Sequence, residues 1–371
     1  SICLQFTMKM RMWDQFASMC LAVVTCTIGC AFTGGMPPRQ RGEHLVLKAE
    51  GAGRPVVAVL GANGRTGSMI VEEMADEMKD GTRTPTLVLR WCCALINYKA
   101  FLDAKVLKED EDAEALARSP AKPRALTRSG KWKGSEGSKV NREDVEVGQA
   151  DVTDSGSLAL ALAGVSAVVF AAAYSRGKTE PKDVDNGGLV KCAKVVLEKG
   201  IERLVVVSSA SVTRPYAPVG VLLNTIGSGV LSEKLKGEEK VKELFENAES
   251  TYTIVRPGGL TMDPPVGFAE LQFNQGDTYV GNVPRADVAA VCAVAATDPL
   301  NSGANKTFEM FKARTREPLL PWYRGKTRYV VGNIRDCSAM LARLRPDKEV
   351  YDVPGMLPIS LADFALGWAR K

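Results

Sequence analysis

The chain has 371 residues, 45% hydrophobic and 25% charged, which sets aside bulk disorder and suits one large globular domain with appendages or two modest ones. Its net charge of +5 is uneven: Phe311 to Lys371 holds 12 Lys and Arg against 6 Asp and Glu, so the near-neutral remainder does not read as a nucleic-acid-binding body. The nine cysteines form no CxxC pair and no metal-ligand spacing, and the single histidine, His44, precedes the folded part. Ser-His-Asp and Cys-His nucleophilic sites and His-ligated metals are thereby excluded, and no metal is expected.

The leader comes first. Lys9 and Arg11 precede an apolar run, Phe16 to Phe32, short for a membrane span and laid out like the n- and h-regions of a signal peptide. Thr33 to Gly42 is basic and free of acidic residues, as in transit peptides. Cys30-Ala31-Phe32 resembles the junction in two-part leaders of algae with secondary plastids. The expectation is a bipartite leader over residues 1–53, with Met8 or Met10 as the start and the plastid stroma as destination. An N-terminal membrane anchor is the alternative.

Pro55 to Leu60 is a short β-branched apolar run, the mark of a buried parallel strand. It leads directly into Gly61-Ala-Asn63-Gly64-Arg65-Thr66-Gly67 and then a stretch in which Ile70, Met74 and Met78 recur at helical spacing. Strand, glycine turn and helix in succession give the context of a dinucleotide-binding loop. Gly61 permits the tight turn, Gly64 the backbone's approach to a diphosphate, and Gly67 close helix–strand packing, with phosphate at the helix N-terminus. Arg65 adds a positive charge.

Two segments compete for the second strand. Thr86 to Arg90 comes about 20 residues after the glycine motif, the usual interval. Arg124 to Arg128 is preferred, because deleting the stretch between them leaves a continuous segment; residues of about 86–123, with the acidic run Lys108 to Glu114, are then an insertion. Either strand ends in Arg, which favours the 2′-phosphate of NADP over the free ribose hydroxyls of NAD. Further on, a helical stripe at Leu189, Ala193, Val196 and Leu197 precedes a strand at Leu204–Val207. A second stripe at Leu231, Leu235, Val241, Leu244 and Phe245 precedes one at Tyr252–Val255. These βαβ units build a doubly wound parallel α/β sheet with its ligand at the carboxyl ends of the strands. Cys192 and Cys292 read as small core residues.

Residues from about Val56 to Met310 resemble the NmrA-like, atypical branch of the short-chain dehydrogenases/reductases, in particular chloroplast NAD(P)-binding members. The resemblance lies in Gly61 to Gly67, Gly148 to Asp154, Val168 to Ala173, Arg203 to Ser211, Tyr252 to Leu260 and Val283 to Ala289. It implies a Rossmann-type domain over residues 54–311 that binds NADP(H) in preference to NAD(H). Implied cofactor residues are Gly61, Asn63, Gly64, Arg65, Thr66, Gly67, Arg128 at the 2′-phosphate, Asp151 and Val152 at the adenine, Ala171 on the nicotinamide side, and Lys236. Lys236 and Ser209 match the catalytic lysine and serine of the superfamily, but Ser232 stands where its tyrosine would, and a serine hydroxyl is too weak an acid to replace it unaided. Tyr174 and Tyr216 lie just past strand ends and are candidate substitutes, with an ordinary loop role as the alternative for each.

Two classes of function follow: an NADP-dependent reductase or isomerase of a small plastid metabolite, or a non-catalytic NADP-binding redox sensor or scaffold. An RNA-associated role is disfavoured, since basic and aromatic residues do not interleave. The carboxyl-terminal part begins after Lys306 to Phe311, read as the family's last strand. It forms an extension over 312–371 in which only Asp336–Leu344 and Ser360–Ala369 look helical. Leu361, Phe364, Ala365 and Trp368 offer an apolar face for the main domain or for a protein partner. The mature chain is not expected to span a membrane.

Overall fold

The computed structural model describes residues 55–79 and 121–350, apart from 136, 176, 215–220, 222–224, 226–228 and 319–328. The leader, the rival strand at Arg90, Tyr216 and the Ser360–Ala369 helix lie outside the described residues.

Strand β1 (Val56–Leu60) is followed by helix α1 (Arg65–Lys79), β2 (Lys122–Thr127), β3 (Glu146–Gln149), α2 (Ser155–Ala161) and β4 (Ala167–Phe170). A π-helix over Lys182–Gly188 runs into α3 (Leu189–Glu198), then come β5 (Arg203–Val207), α4 (Val230–Phe245) and β6 (Thr251–Pro257). The short β7 (Gly259–Thr261) is followed by β8 (Leu271–Gln275), β9 (Tyr279–Val280), β10 (Asn282–Pro284), α5 (Arg285–Thr297) and β11 (Lys306–Lys312). The described chain closes with β12 (Glu317–Pro318), β13 (Tyr329–Gly332), α6 (Cys337–Arg343) and α7 (Asp347–Val350).

Nine strands form one sheet in the order β13-β8-β11-β6-β5-β4-β1-β2-β3. The reversal of strand order at β1 and β4 is the doubly wound arrangement expected from the βαβ pattern. Every pairing from β3 across to β11 is parallel. Beyond β11 the pairing changes sense: β8 runs antiparallel to both β11 and β13. It reaches its place through the loop after β7 rather than through a helical crossover, so nothing obliges it to run parallel.

Side chains alternate along the strands. Val57 and Val59 face one apolar cluster with α1, α5 and α6, whereas Ala58 and Leu60 face another with α2, α3 and α4. Cys192 and Cys292 are fully buried, one in each cluster. Burying a Val, Leu or Phe side chain contributes on the order of 1.5–3 kcal/mol, so the two clusters hold the sheet from both faces.

The extension drawn from residue 312 onward is, as far as Val350, part of this unit. β13 completes the sheet edge, and Asp336 caps α6 by accepting from the Ser338 amide. The buried carboxylate of Asp347 accepts from Tyr252 Oη (3.0 Å) and the Thr307 amide (2.7 Å) and pairs with Lys242 (2.9 Å). Gln275 donates to Arg345 O (2.9 Å) and accepts from Arg345 N (3.0 Å). A polar network also crosses the sheet: Arg256, 1% exposed, pairs with Glu238 at 2.5 Å and with Glu309 at 3.2 Å. Glu309 in turn accepts from Asn274 Nδ2 (2.8 Å) and the Asp277 amide (2.9 Å).

Candidate functional site

The carboxyl end of β1 turns sharply at Gly61, whose φ of +83° lies in the left-handed region. A Cβ on Gly61 would come within 2.8 Å of Ala171 O, and one on Gly67 within 2.3 Å of Gly61 O. These glycines therefore let the loop lie against β4 and let α1 start directly behind it. Gly64 differs: its Cβ would meet only Gly61 O, at 3.1 Å, and the residue is exposed. The space beyond it is open.

Thr66 lies in the first turn of α1, which holds no acidic residue, so its amides and helix dipole are available to an anion. Open amides at a positive helix end are what an anion such as a diphosphate would meet. Asn63 is held by the neighbouring loop. Its side chain donates to Lys131 O (2.7 Å) and accepts from Lys133 N (2.9 Å), so it clamps the loop after β2 rather than reaching outward.

β2 ends at Thr127, and Arg128 follows it with 56% of its side chain exposed and Asp151 3.5 Å away. Lys131 and Lys133 extend the same loop and are exposed. Asp151 accepts from the Thr153 hydroxyl (2.7 Å) and amide (2.9 Å), bonds that hold its carboxyl below the usual range, with help from Arg128. Val152 is 7% exposed and belongs to the core, where a glycine at position 188 leaves it room.

Helix α4 sets its lysines in different surroundings. Leu231, Lys234, Glu238, Val241 and Phe245 follow the 3–4 spacing of one helical face, and all but Lys234 are buried. Lys236 falls off that face: its side chain is 61% exposed and pairs with Glu233 in the preceding turn at 2.6 Å. Lys234 turns inward, 15% exposed, and pairs at 2.8 Å with Asp185, whose side chain is fully buried. The periodicity, read strictly, was a signal that would have found it.

Asp185 projects from the π-helix and also accepts from the Tyr174 amide (2.9 Å), just past β4. Next to it, Asn186 donates to Glu233 (2.8 Å). Gly237 permits this close approach, since a Cβ there would lie 2.8 Å from Asp185 O. Single π turns recur where a helix must present a group out of register. The Tyr174 side chain is half-buried, and Val230 stands four residues before Lys234.

Ser208 is buried and donates its hydroxyl to Glu238. Ser209, half-buried after β5, donates to Ala210 O at 3.0 Å. Ala171 lies against the glycine loop, its amide donating to Leu60 O at 3.0 Å. Asp287, in the first turn of α5, accepts from the Val266 (2.9 Å) and Gly267 (2.9 Å) amides and ties down the loop before β8. Among the described residues no cluster of three His, Cys, Asp or Glu could hold a metal, and no helix is long and apolar enough to cross a membrane.

The structure brings the glycine loop, Arg128, Asp151, Ala171, Lys234 and Ser209 to the carboxyl ends of the parallel strands, where doubly wound folds hold nucleotides. A family model described as NAD(P)H-binding matches residues 112–299. The chain belongs to this NAD(P)H-binding family. The matched span begins after the glycine loop, which joins it through the pairing of β1 with β2 and β4.

A chloroplastic protein of Arabidopsis thaliana, itself described as uncharacterized, is 32% identical over 161 residues, 41% of this chain. The match takes in 55% of that relative's length, so the chain spans about half of the curated protein it resembles. Among solved structures, an oxidoreductase of Lactococcus lactis is similar at 16% identity and a TM-score of 0.47, covering 71% of this chain and 92% of its own. A short-chain dehydrogenase/reductase of Veillonella parvula in complex with NADP is similar at 15% identity and a TM-score of 0.45, covering 71% and 96%.

Proposed function

We propose that this chain binds NADP(H) in preference to NAD(H) and is a reductase or isomerase of a small plastid metabolite. The observation that carries the cofactor preference is the end of β2. Arg128, Lys131 and Lys133 follow it, and the carboxylate that pairs with Arg128, Asp151, is also engaged by Thr153. A 2′-phosphate suits that charge, whereas an acidic residue at that place would suit free ribose hydroxyls.

The cofactor, when bound, supplies the hydride. The chain's own contribution is to cradle the diphosphate at Gly61–Gly67, to fix Lys234 through Asp185 where the lysine would meet ribose, and to place the Ser209 hydroxyl after β5. A second reading, a non-catalytic NADP-binding sensor or scaffold, is favoured by Val230 at the place a tyrosine four residues before the lysine would take. The plastid as location draws on the leader-like residues 1–53 and the chloroplastic relative.

Titration with NADPH and NADH tests the first reading. NADPH is expected to bind at least about 10-fold more tightly, and Arg128→Ala to erase the difference. Equal affinities would sink the NADP preference, and no binding of either nucleotide would sink the site. Lys234→Met is expected to weaken NADPH binding by about 10-fold and Lys236→Met to leave it unchanged; the reverse result would restore Lys236.

A further inference from the structure

Two helices on the same face of the sheet begin with arginine. Arg65 is the first residue of α1 and Arg285 the first residue of α5, and the two helices pack against each other. Both start at the carboxyl ends of the strands. A helix N-terminus carries partial positive charge and disfavours cations. The first turn of α1 contains no acid, and the acid in the first turn of α5, Asp287, accepts from the Val266 and Gly267 amides and forms no ion pair with Arg285. Pro284, the cap residue of α5, supplies no side-chain bond.

Arg285 is 8% exposed, and its Nη1 donates to Leu260 O at 3.2 Å. No carboxylate among the described residues forms an ion pair with it or with Arg65. Next to Leu260, Thr261 has a buried hydroxyl with no hydrogen-bond partner, and the β7–β10 register sets Thr261 beside Pro284. A buried guanidinium without a counter-charge is among the costlier arrangements in a protein interior. Burial, and after it the charge of Arg65, depress the proton affinity of Arg285. Both effects are relieved by an anion.

We propose that Arg285 and Thr261 form, opposite Arg65 and the amides of α1, the second wall of a site for a phosphate-type anion. The anion is either the diphosphate of the dinucleotide or an anionic group of the substrate seated beside it. Its identity as a diphosphate rests on the dinucleotide reading; its presence does not.

The test is calorimetric titration of the full chain, and of Arg285→Gln, with NADPH, with inorganic pyrophosphate, and with inorganic phosphate added to the NADPH-saturated protein. Loss of one charge-assisted bond predicts weakening by about 10- to 100-fold. If the anion is the diphosphate, Arg285→Gln weakens NADPH and pyrophosphate alike, and bound NADPH blocks phosphate. If it belongs to the substrate, NADPH affinity is unchanged, and phosphate binds the NADPH-loaded wild type but not the variant. Should NADPH fail to bind while pyrophosphate binds and depends on Arg285, the dinucleotide reading falls and this site stands. Unchanged affinity for all three probes in the variant overturns the proposal. Arg285→Lys, which keeps the charge, and pyrophosphate-dependent thermal stabilisation of the wild type guard against misfolding of the Gln variant. A wild type that neither anion binds nor stabilises overturns the proposal without recourse to any variant.

Discussion

Gly64 and Gly67 stand one helical turn apart, and the same added methyl group meets different surroundings at each. At Gly67 the new Cβ would sit 2.3 Å from a backbone carbonyl that has nowhere to go, whereas at Gly64 the nearest atom is 3.1 Å away and the rest is open. Gly67→Ala is therefore expected to cost on the order of 3 kcal/mol of folding stability, measured by urea denaturation. Gly64→Ala is expected to keep stability within about 1 kcal/mol of wild type and still to lose NADPH affinity by at least about 10-fold. A Gly64→Ala protein with undiminished affinity would show that the diphosphate does not approach this backbone. Because stability and affinity separate between two neighbouring glycines, the pair tells a folding requirement from a binding one.

Among elements, those legible in the sequence were the ones whose residues share one environment. The runs at β1, β4, β5 and β6 are buried on both faces and read as strands at once, as did the loop with α1 behind it. β8 was not legible. Its sequence ends in Asn274 and Gln275, both fully buried, and polar residues belong in a core only when partners such as Glu309 and the Arg345 backbone are already known to be there. The π-helix gave no signal, and the motif that singled out Lys236 says nothing of Lys234, which the periodicity of α4 turns inward. The same limit hid the docking of the chain's last described part, in which one carboxylate, Asp347, gathers three partners. Asp347→Ala removes the acceptor shared by Tyr252 and Thr307 and the partner of Lys242, and is expected to cost about 3 kcal/mol. A loss under about 0.5 kcal/mol by denaturant titration would mean that β13 and α6 hold the segment without it.

At the scale of the whole molecule, Arg256, Glu238, Glu309, Asn274 and Asp277 link α4, β6, β11 and β8 through buried charge. Burial pushes the Glu309 carboxyl up from 4.5 to about 7, with Asp277 adding to the rise and Arg256 opposing it. Between these two values the folded protein keeps a proton that the unfolded chain has released. The contribution of this group to stability is thus fully present below pH 4.5 and is lost as the pH climbs to about 7. The span corresponds to about 3 kcal/mol, and Glu309→Gln should flatten that part of the stability profile relative to wild type. Parallel profiles for the two proteins between pH 5 and 7 would refute it.

Residues 80–120 leave the described fold at the end of α1 and return at the start of β2, where the Lys122 amide donates to Pro55 O at 2.8 Å. Both points of attachment lie at the amino ends of the strands, the opposite pole from Gly61–Gly67, Arg128 and Lys234. An excursion grafted there can lengthen, change its charge or acquire a contact of its own while the nucleotide pole keeps its shape. The two ends of this sheet can therefore change separately, and a protease cut or an epitope introduced between Lys79 and Lys122 is expected to leave nucleotide affinity unchanged.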